Sequence, residues 1–208
     1  FCVTDEGKLY CWGAADVSSP PQYGPPSDTV TSPGEPWTTR VADILASSDA
    51  NDGYCLVWGI GTGSLMEELY LQTNLRIVAV DPGAAKVATE RAKWAGTGEL
   101  GRRVWVYEGD PSTFAFPPYI AHLIVSEDQA AAGTGQPFCE AMFRALRPYG
   151  GAAYLTGDSS GSLTSWSNSA GHENARISYD AATNYTVMER YGKLPGADDW
   201  THQYGNAA

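Results

Sequence analysis

From residue 37 onward, apolar runs and amphipathic segments take turns along the chain. "WTTRVADILASS" places Val41, Ile44 and Leu45 at helical spacing and predicts a short amphipathic helix. From residue 54 the alternation becomes regular. The runs "YCLVWGI", "LRIVAVD", "RVWVYEGD", "IAHLIVSED" and "GAAYLTG" read as buried strands. Among them lie three helical patterns: "SLMEELYLQT" with Leu65 and Leu69 inward, "AAKVATERAKWAG", and "GQPFCEAMFRALRPYGG", which ends on a glycine stop. Such alternation predicts a parallel sheet covered on both faces, a three-layer α/β/α arrangement. The stretch "ARISYDAATNYTVMERYG" reads instead as two strands around an "AATN" turn, an antiparallel hairpin finishing the sheet. Before it, "GSLTSWSNSAGHEN" is small and polar and reads as a loop with one helical turn.

The ends differ from this body. Residues 1–13 alternate around a "DEG" turn and read as a strand pair. Residues 14–36 are rich in Pro, Ser and Gly, the composition of a linker or covering loop. The folded domain is expected over 37–192, with 193–208 as an extended tail without periodicity. The chain opens "FCVTDEG" rather than with methionine, so it reads as a piece of something longer.

Composition narrows the function classes. With 13 Lys and Arg against 24 Asp and Glu, the net charge is −11, which argues against nucleic acid as a partner. The tightest basic pair, Arg102 and Arg103, reads as a solvated turn. Four cysteines and three histidines are scattered without ligand spacing, so no metal site is expected; Cys2 and Cys11 could meet across a hairpin but read rather as unpaired small core residues. No apolar run approaches the ~20 residues of a membrane-spanning helix.

The candidate chemistry starts at "WGIGTGS". Gly59, Gly61 and Gly63 follow the first strand and open the next helix. Glycines there let a ligand approach the backbone, and the helix adds its free N–H groups. The dinucleotide pattern GxGxxG is not met, because Ser64 stands where its third glycine belongs. Asp81 ends the second strand, where a carboxylate accepts ribose hydroxyls. Asp110 ends the third, placed to accept from an adenine amino group. Each acid alone has a plainer reading as a helix cap.

Together, Gly59-Ile60-Gly61-Thr62-Gly63, Asp81, Gly109-Asp110 and "ALRPYGG" resemble class I S-adenosylmethionine-dependent methyltransferases over residues 37–191. The resemblance implies a Rossmann-like fold with a mostly parallel seven-stranded sheet and a terminal antiparallel hairpin. It implies S-adenosylmethionine as cofactor, held by Gly59, Ile60, Gly61, Gly63, Asp81, Pro82, Gly109 and Asp110. Ser126 and Glu127, ending the fourth strand, match the position facing the methyl group and the substrate, a small molecule or a protein. Glu127, Asp128 and His122 are the candidate bases, although His122 lies mid-strand, where core packing is its plainer reading.

The departures are specific. The family carries an acid two residues before the first glycine, and here stands Val57. "PPY" at 117–119 resembles the signature of amino-group methylators but precedes the fourth strand, so it reads as a loop. At the chain ends, "VTDEGKLYCWG" and "ADDWTHQYG" resemble repeats of a quinoprotein-like β-propeller, implying a domain inserted into a propeller protein and in contact with it. Two alternatives stay open. One is a non-catalytic module that binds an adenosine-type ligand or serves as a structural insert. The other is a nicotinamide-dependent oxidoreductase, against which the terminal hairpin counts.

Overall fold

The computed structural model describes residues 2–5, 9, 10, 13 and 26–197. The first strand pair is a short antiparallel ladder, β1 (Cys2–Val3) with β2 (Leu9–Tyr10). Cys11, most of the linker and the "DDWTHQYG" half of the second propeller-like segment lie outside the described residues.

The body begins with α1 (Trp37–Ser48), followed by β3 (Tyr54–Trp58), α2 (Ser64–Gln72), β4 (Arg76–Asp81), α3 (Ala84–Thr97) and β5 (Val104–Glu108). It continues through β6 (Ala121–Val125), α4 (Gln129–Ala132), α5 (Gly135–Ala145), β7 (Gly151–Thr156), α6 (Ser160–Ala170), β8 (Ala175–Asp180) and β9 (Tyr185–Arg190). The seven-stranded sheet has the order β5-β4-β3-β6-β7-β9-β8. β3 to β7 are parallel, β9 runs against β7, and β8 pairs antiparallel with β9. This is the Rossmann-like architecture expected from the sequence, terminal hairpin included.

Side-chain alternation along the strands separates two apolar layers. Cys55 and Val57 of β3, with Ile77 and Ala79 of β4, face Val41 and Ile44 of α1, Leu65 and Leu69 of α2, and Val87 and Trp94 of α3. Leu56 and Trp58 face the other way, toward Phe138, Met142 and Phe143 of α5 and Leu163 and Trp166 of α6. β3 is therefore apolar on both faces, as a central parallel strand must be.

Two elements differ from expectation. The serine-rich stretch read as a loop is the eleven-residue helix α6. Serines are indifferent helix formers, but Leu163 and Trp166 share a face and bury against the sheet, and packing overrides propensity. The helix stops at Gly171, φ 70°, whose N–H caps back onto the helix. The second difference is α4, one short turn after β6, where the Asp128 side chain accepts from the Ala131 N–H at 3.2 Å.

The order of strands sets where a ligand would sit. The chain winds outward from β3 through β4 to β5, then returns to the other side of β3 as β6. The winding reverses between β3 and β6, and the crevice beyond their carboxyl ends is the natural site in such a sheet.

Candidate functional site

β3 runs directly into the glycine loop. Gly59, Gly61 and Gly63 have φ of 78°, 63° and 85°, the left-handed region that favours glycine. Space demands it as well. A Cβ on Gly61 would lie 2.6 Å from the Glu127 Cγ, and one on Gly63 would lie 2.6 Å from a Glu90 carboxylate oxygen. The alternate glycines are thus required by the backbone and by two acids that close on it.

Asp81 ends β4 beside this loop and is almost fully buried, 1% exposed. Its Oδ2 accepts the Ile60 N–H at 2.8 Å, and its Oδ1 accepts the Gly83 N–H, also at 2.8 Å. Pro82, between them, has no N–H to offer. Lys86, in the first turn of α3, bridges Asp81 at 3.2 Å and Asp128 at 3.1 Å. Burial disfavours the Lys86 ammonium, but hydrogen bonds to Asp128 and Asp81 and their charges outweigh it and raise its pKa. Asp128 is pushed below the usual carboxylate range, first by the Ala131 main-chain N–H and then by Lys86. Both groups are charged at neutral pH.

At the next strand end, the Gly109 N–H donates to the Asp81 carbonyl at 3.1 Å, which sets Asp110 next to Asp81. Asp110 is exposed and its Oδ1 accepts from the Ser112 N–H at 2.8 Å and the Ser112 hydroxyl at 2.7 Å, a local turn.

On the far side of β3, the turn after β6 leans onto the glycine loop. The N–H groups of Glu127 and Asp128 both donate to the Gly59 carbonyl at 3.3 Å. The Glu127 carboxylate then caps α2 from outside the helix. It accepts the Thr62 N–H at 2.6 Å, the Thr62 hydroxyl, and the Leu65 N–H at 3.0 Å. α2 has no side-chain cap of its own, because its N-cap residue is Gly63. Val57, by contrast, is fully buried in the apolar layer against α1 and α2. An acid in that position would be buried among apolar groups, at high cost unless hydrogen-bonded or neutralised.

Ser126 is buried, and its hydroxyl has no hydrogen-bond partner. Two further buried polar atoms without partners, Trp58 Nε1 and Gln129 Oε1, belong to the end of β3 and the start of α4. Three unanswered polar atoms thus come from the two strand ends that flank the switch point and from the turn beyond. Buried polar groups are normally paired; the Trp58 indole is accounted for by its packing between Phe116 and Phe138, which leaves the Ser126 hydroxyl as the exception at the switch point.

The eight residues expected to hold the cofactor, with Ser126, Glu127 and Asp128, lie at or just beyond the carboxyl ends of β3, β4, β5 and β6. His122 does not join them. It lies at the opposite end of β6, half-buried rather than in the core, bonded to the Asp52 carbonyl at 2.8 Å and to Arg147 at 2.7 Å. "PPY" at 117–119 likewise lies before β6, at the far end from the glycine loop. Sequence reasoning missed Lys86 and Glu90, four residues apart and so on one face of α3, the spacing that brings both to the loop. Glu90 is buried and accepts from the Trp94 Nε1 at 3.1 Å, and Lys93 bridges it at 3.4 Å to Glu67 at 2.8 Å. Burial raises the Glu90 carboxyl pKa, with Lys93 opposing. Of the basic pair at 102–103, which lies in the turn before β5, Arg102 is exposed and Arg103 is half-buried. Arg103 donates to the carbonyls of Leu75, Tyr70 and Thr73 and ties α2 to the strand edge.

No family model matches the chain, and no curated protein matches it in sequence. Solved structures do resemble it. One is a protein from Methanococcus maripaludis assigned as an S-adenosyl-L-methionine-dependent methyltransferase, with TM-score 0.61 and 16% identity over 76% of this chain and 87% of that one. Another, an S-adenosylmethionine-dependent methyltransferase from Aquifex aeolicus, gives TM-score 0.55 and 14% identity over 74% of this chain and 92% of that one. A third is the phosphoethanolamine N-methyltransferase 2 of Haemonchus contortus, solved with phosphomonomethylethanolamine and S-adenosylhomocysteine. It gives TM-score 0.50 and 18% identity over 64% of this chain and 32% of that one. Identities this low speak for fold alone, and the fold of this chain is the Rossmann-like α/β fold of those methyltransferases.

Proposed function

We propose that the chain is a methyltransferase domain that uses S-adenosylmethionine to methylate a small molecule or a protein. The observation that carries the reading is the convergence, at one switch point, of a glycine loop, the buried Asp81 and the unpartnered Ser126 hydroxyl. The residues fit the cofactor once two side chains, Glu127 and Lys86, withdraw. The N–H groups of Thr62 and Leu65, which now bind a carboxylate, would then hold the amino-acid end. Asp81 beside Pro82 would accept ribose hydroxyls, and Gly109 with Asp110 would border the adenine.

When bound, the cofactor supplies an electrophilic methyl group on a sulfonium sulfur. The chain's part is placement. Ser126, with its hydroxyl uncommitted, orients the acceptor atom, and Glu127, once released from α2, is the carboxylate nearest to take its proton. Alignment of this kind contributes most of the rate in a displacement that needs little other help.

A second reading has one observation in its favour. Glu127 and Lys86 already satisfy the groups a cofactor would use, as they would in a non-catalytic module. The quinoprotein-like context suggested by the chain ends has no further feature behind it than the β1–β2 ladder, and it stays outside the reading. Calorimetric titration with S-adenosylmethionine and S-adenosylhomocysteine, with Asp81→Asn as control, tests for a working cofactor site, and methyl transfer to a panel of acceptors separates an enzyme from a module that only binds. Saturable binding lost in the variant supports the methyltransferase. Absence of heat with either ligand overturns it.

A further inference from the structure

Arg147 lies in the connection from α5 to β7, and its main-chain N–H donates to the Ala121 carbonyl at 2.9 Å. Its guanidinium donates to Nε2 of His122 at 2.7 Å. His122 must then carry its proton on Nδ1, which donates to the Asp52 carbonyl at 2.8 Å. The imidazole that receives Arg147 is therefore a neutral partner and not a counter-ion. Among the described residues no carboxylate oxygen lies within 4.0 Å of this guanidinium. In a chain of net charge −11 that is unexpected.

The Arg147 Nε is buried without an acceptor. Arg190 has an unpartnered Nε too, but its guanidinium donates to the Phe143 carbonyl at 3.0 Å and lies over the Phe143 ring at 4.4 Å, which explains it by packing. Arg147 instead opens on a cavity of ≈340 Å³ at the amino-terminal edge of the sheet, lined also by Ser47, Ser48, Tyr149 and Tyr154. The buried Ser48 hydroxyl lies against the Tyr154 hydroxyl, which is within 2.8 Å of Ser47. A guanidinium without a carboxylate partner, two serine hydroxyls and two phenols thus share one concave site of ligand size.

We propose that this cavity binds a small oxyanion, a carboxylate or phosphate group, anchored by Arg147 and hydrogen-bonded by the Ser48 and Tyr154 hydroxyls. Guanidinium presents planar forked donors that match both groups. Two acids bound the ligand's charge. Glu189 lines the same cavity but is paired with Arg176 at 3.0 Å, and Asp49 lines it unpaired and exposed. They repel a polyanion and admit a small ligand with one such group. The site is separate from the glycine loop: His122 and Glu127 stand five residues apart along and beyond β6, roughly 16 Å in extended chain.

The test uses the full chain and two probes, inorganic phosphate and succinate, at constant chloride. Binding is read by calorimetry and by the imidazole signals of His122 in NMR spectra. Saturable binding of one probe is expected, with a perturbed His122 signal, and about tenfold weakening in Arg147→Gln. Response to phosphate alone assigns a phosphoryl ligand, and response to succinate alone a carboxylate. If Arg147→Gln does not fold, Ser48→Ala and Tyr154→Phe serve instead, each weakening binding several-fold. No saturable response to either probe overturns the proposal, as does binding indifferent to all three substitutions.

Discussion

Replacing Glu127 by alanine should tighten the binding of S-adenosylhomocysteine while making the ligand-free protein less stable. Both effects come from one contact. The Glu127 carboxylate is bound by two main-chain N–H groups and one hydroxyl at the start of α2. A side-chain cap of this type is worth about 0.5–2 kcal/mol. The negative charge at a helix N-terminus adds about 0.3–1 kcal/mol at a part-exposed position. Together the seated carboxylate stabilises the closed arrangement by about 1–3 kcal/mol over one in which the α2 terminus is free.

A ligand whose own carboxylate takes that seat meets only the free fraction, so its apparent affinity is reduced by the closed-state population. One to three kcal/mol corresponds to about 5- to 150-fold, and Glu127→Ala should recover about fivefold or more. The same substitution should lower unfolding stability by a similar energy, since the cap is lost. Calorimetry gives the first quantity and urea unfolding the second. Glu127→Gln, a neutral and weaker cap of the same shape, should fall between. Tighter binding without stability loss, or stability loss with weaker binding, would refute the reasoning: the first removes the cap, the second makes Glu127 a ligand-holding group.

Three further outcomes follow from the same geometry. Gly61→Ala places a methyl group 2.6 Å from the Glu127 Cγ in a left-handed backbone, so it should cost about 1–3 kcal/mol in chemical unfolding; part of that should return in the Gly61→Ala, Glu127→Ala double variant. Lys86→Met removes the ammonium from Asp81 and should shift the ratio of affinities toward the positively charged S-adenosylmethionine over the neutral homocysteine product; an unchanged ratio would place Lys86 away from the sulfonium. Burial raises the Glu90 carboxyl pKa in the folded chain, so the native state keeps a proton that the unfolded chain has released. Stability therefore falls as pH rises from the ordinary glutamate value through the raised one. Glu90→Gln should flatten that slope and be the more stable protein at neutral pH, as thermal unfolding across the acid range will report.

The sheet was legible because its signal is redundant. β3, β4, β6 and β7 are mostly buried, so they appear as apolar runs broken only by single residues such as His122, and the glycines after β3 mark a strand-to-helix turn that favours positive φ. α6 was not legible, since its serines carry little preference and its two anchors, Leu163 and Trp166, act only through a sheet face formed elsewhere in the chain. The positions of the site residues could be read for the same reason as the strands. Their partners could not. Nothing in the order of residues says that Glu127 reaches sixty-odd positions back to Thr62 and Leu65, or that Lys86 spans from Asp81 to Asp128. Those contacts exist because β4, β3 and β6 are neighbours in space, a fact of topology rather than of local pattern.

Val57 and Glu127 are best understood together. An acid at position 57 would be fixed in a central strand, rigid and permanently next to the glycine loop. This chain places an apolar side chain there, which lets β3 pack against α1 and α2 without a buried charge. The carboxylate that meets the loop comes instead from Glu127, on a turn between β6 and the short α4, outside the regular strands. The loop's N–H groups are thus satisfied by an acid from outside β3, and the proposed function requires that acid to withdraw toward Ser126 when a ligand binds. On that reasoning, restoring an acid by Val57→Asp would not restore the family's site. It would bury an unpaired carboxylate in the α1–α2 layer and destabilise the fold by several kcal/mol, roughly 3–5 by analogy with broken buried ion pairs, without raising ligand affinity. A Val57→Asp protein that unfolds at the parental urea concentration and binds S-adenosylhomocysteine more tightly would show that the acid belongs in the strand after all.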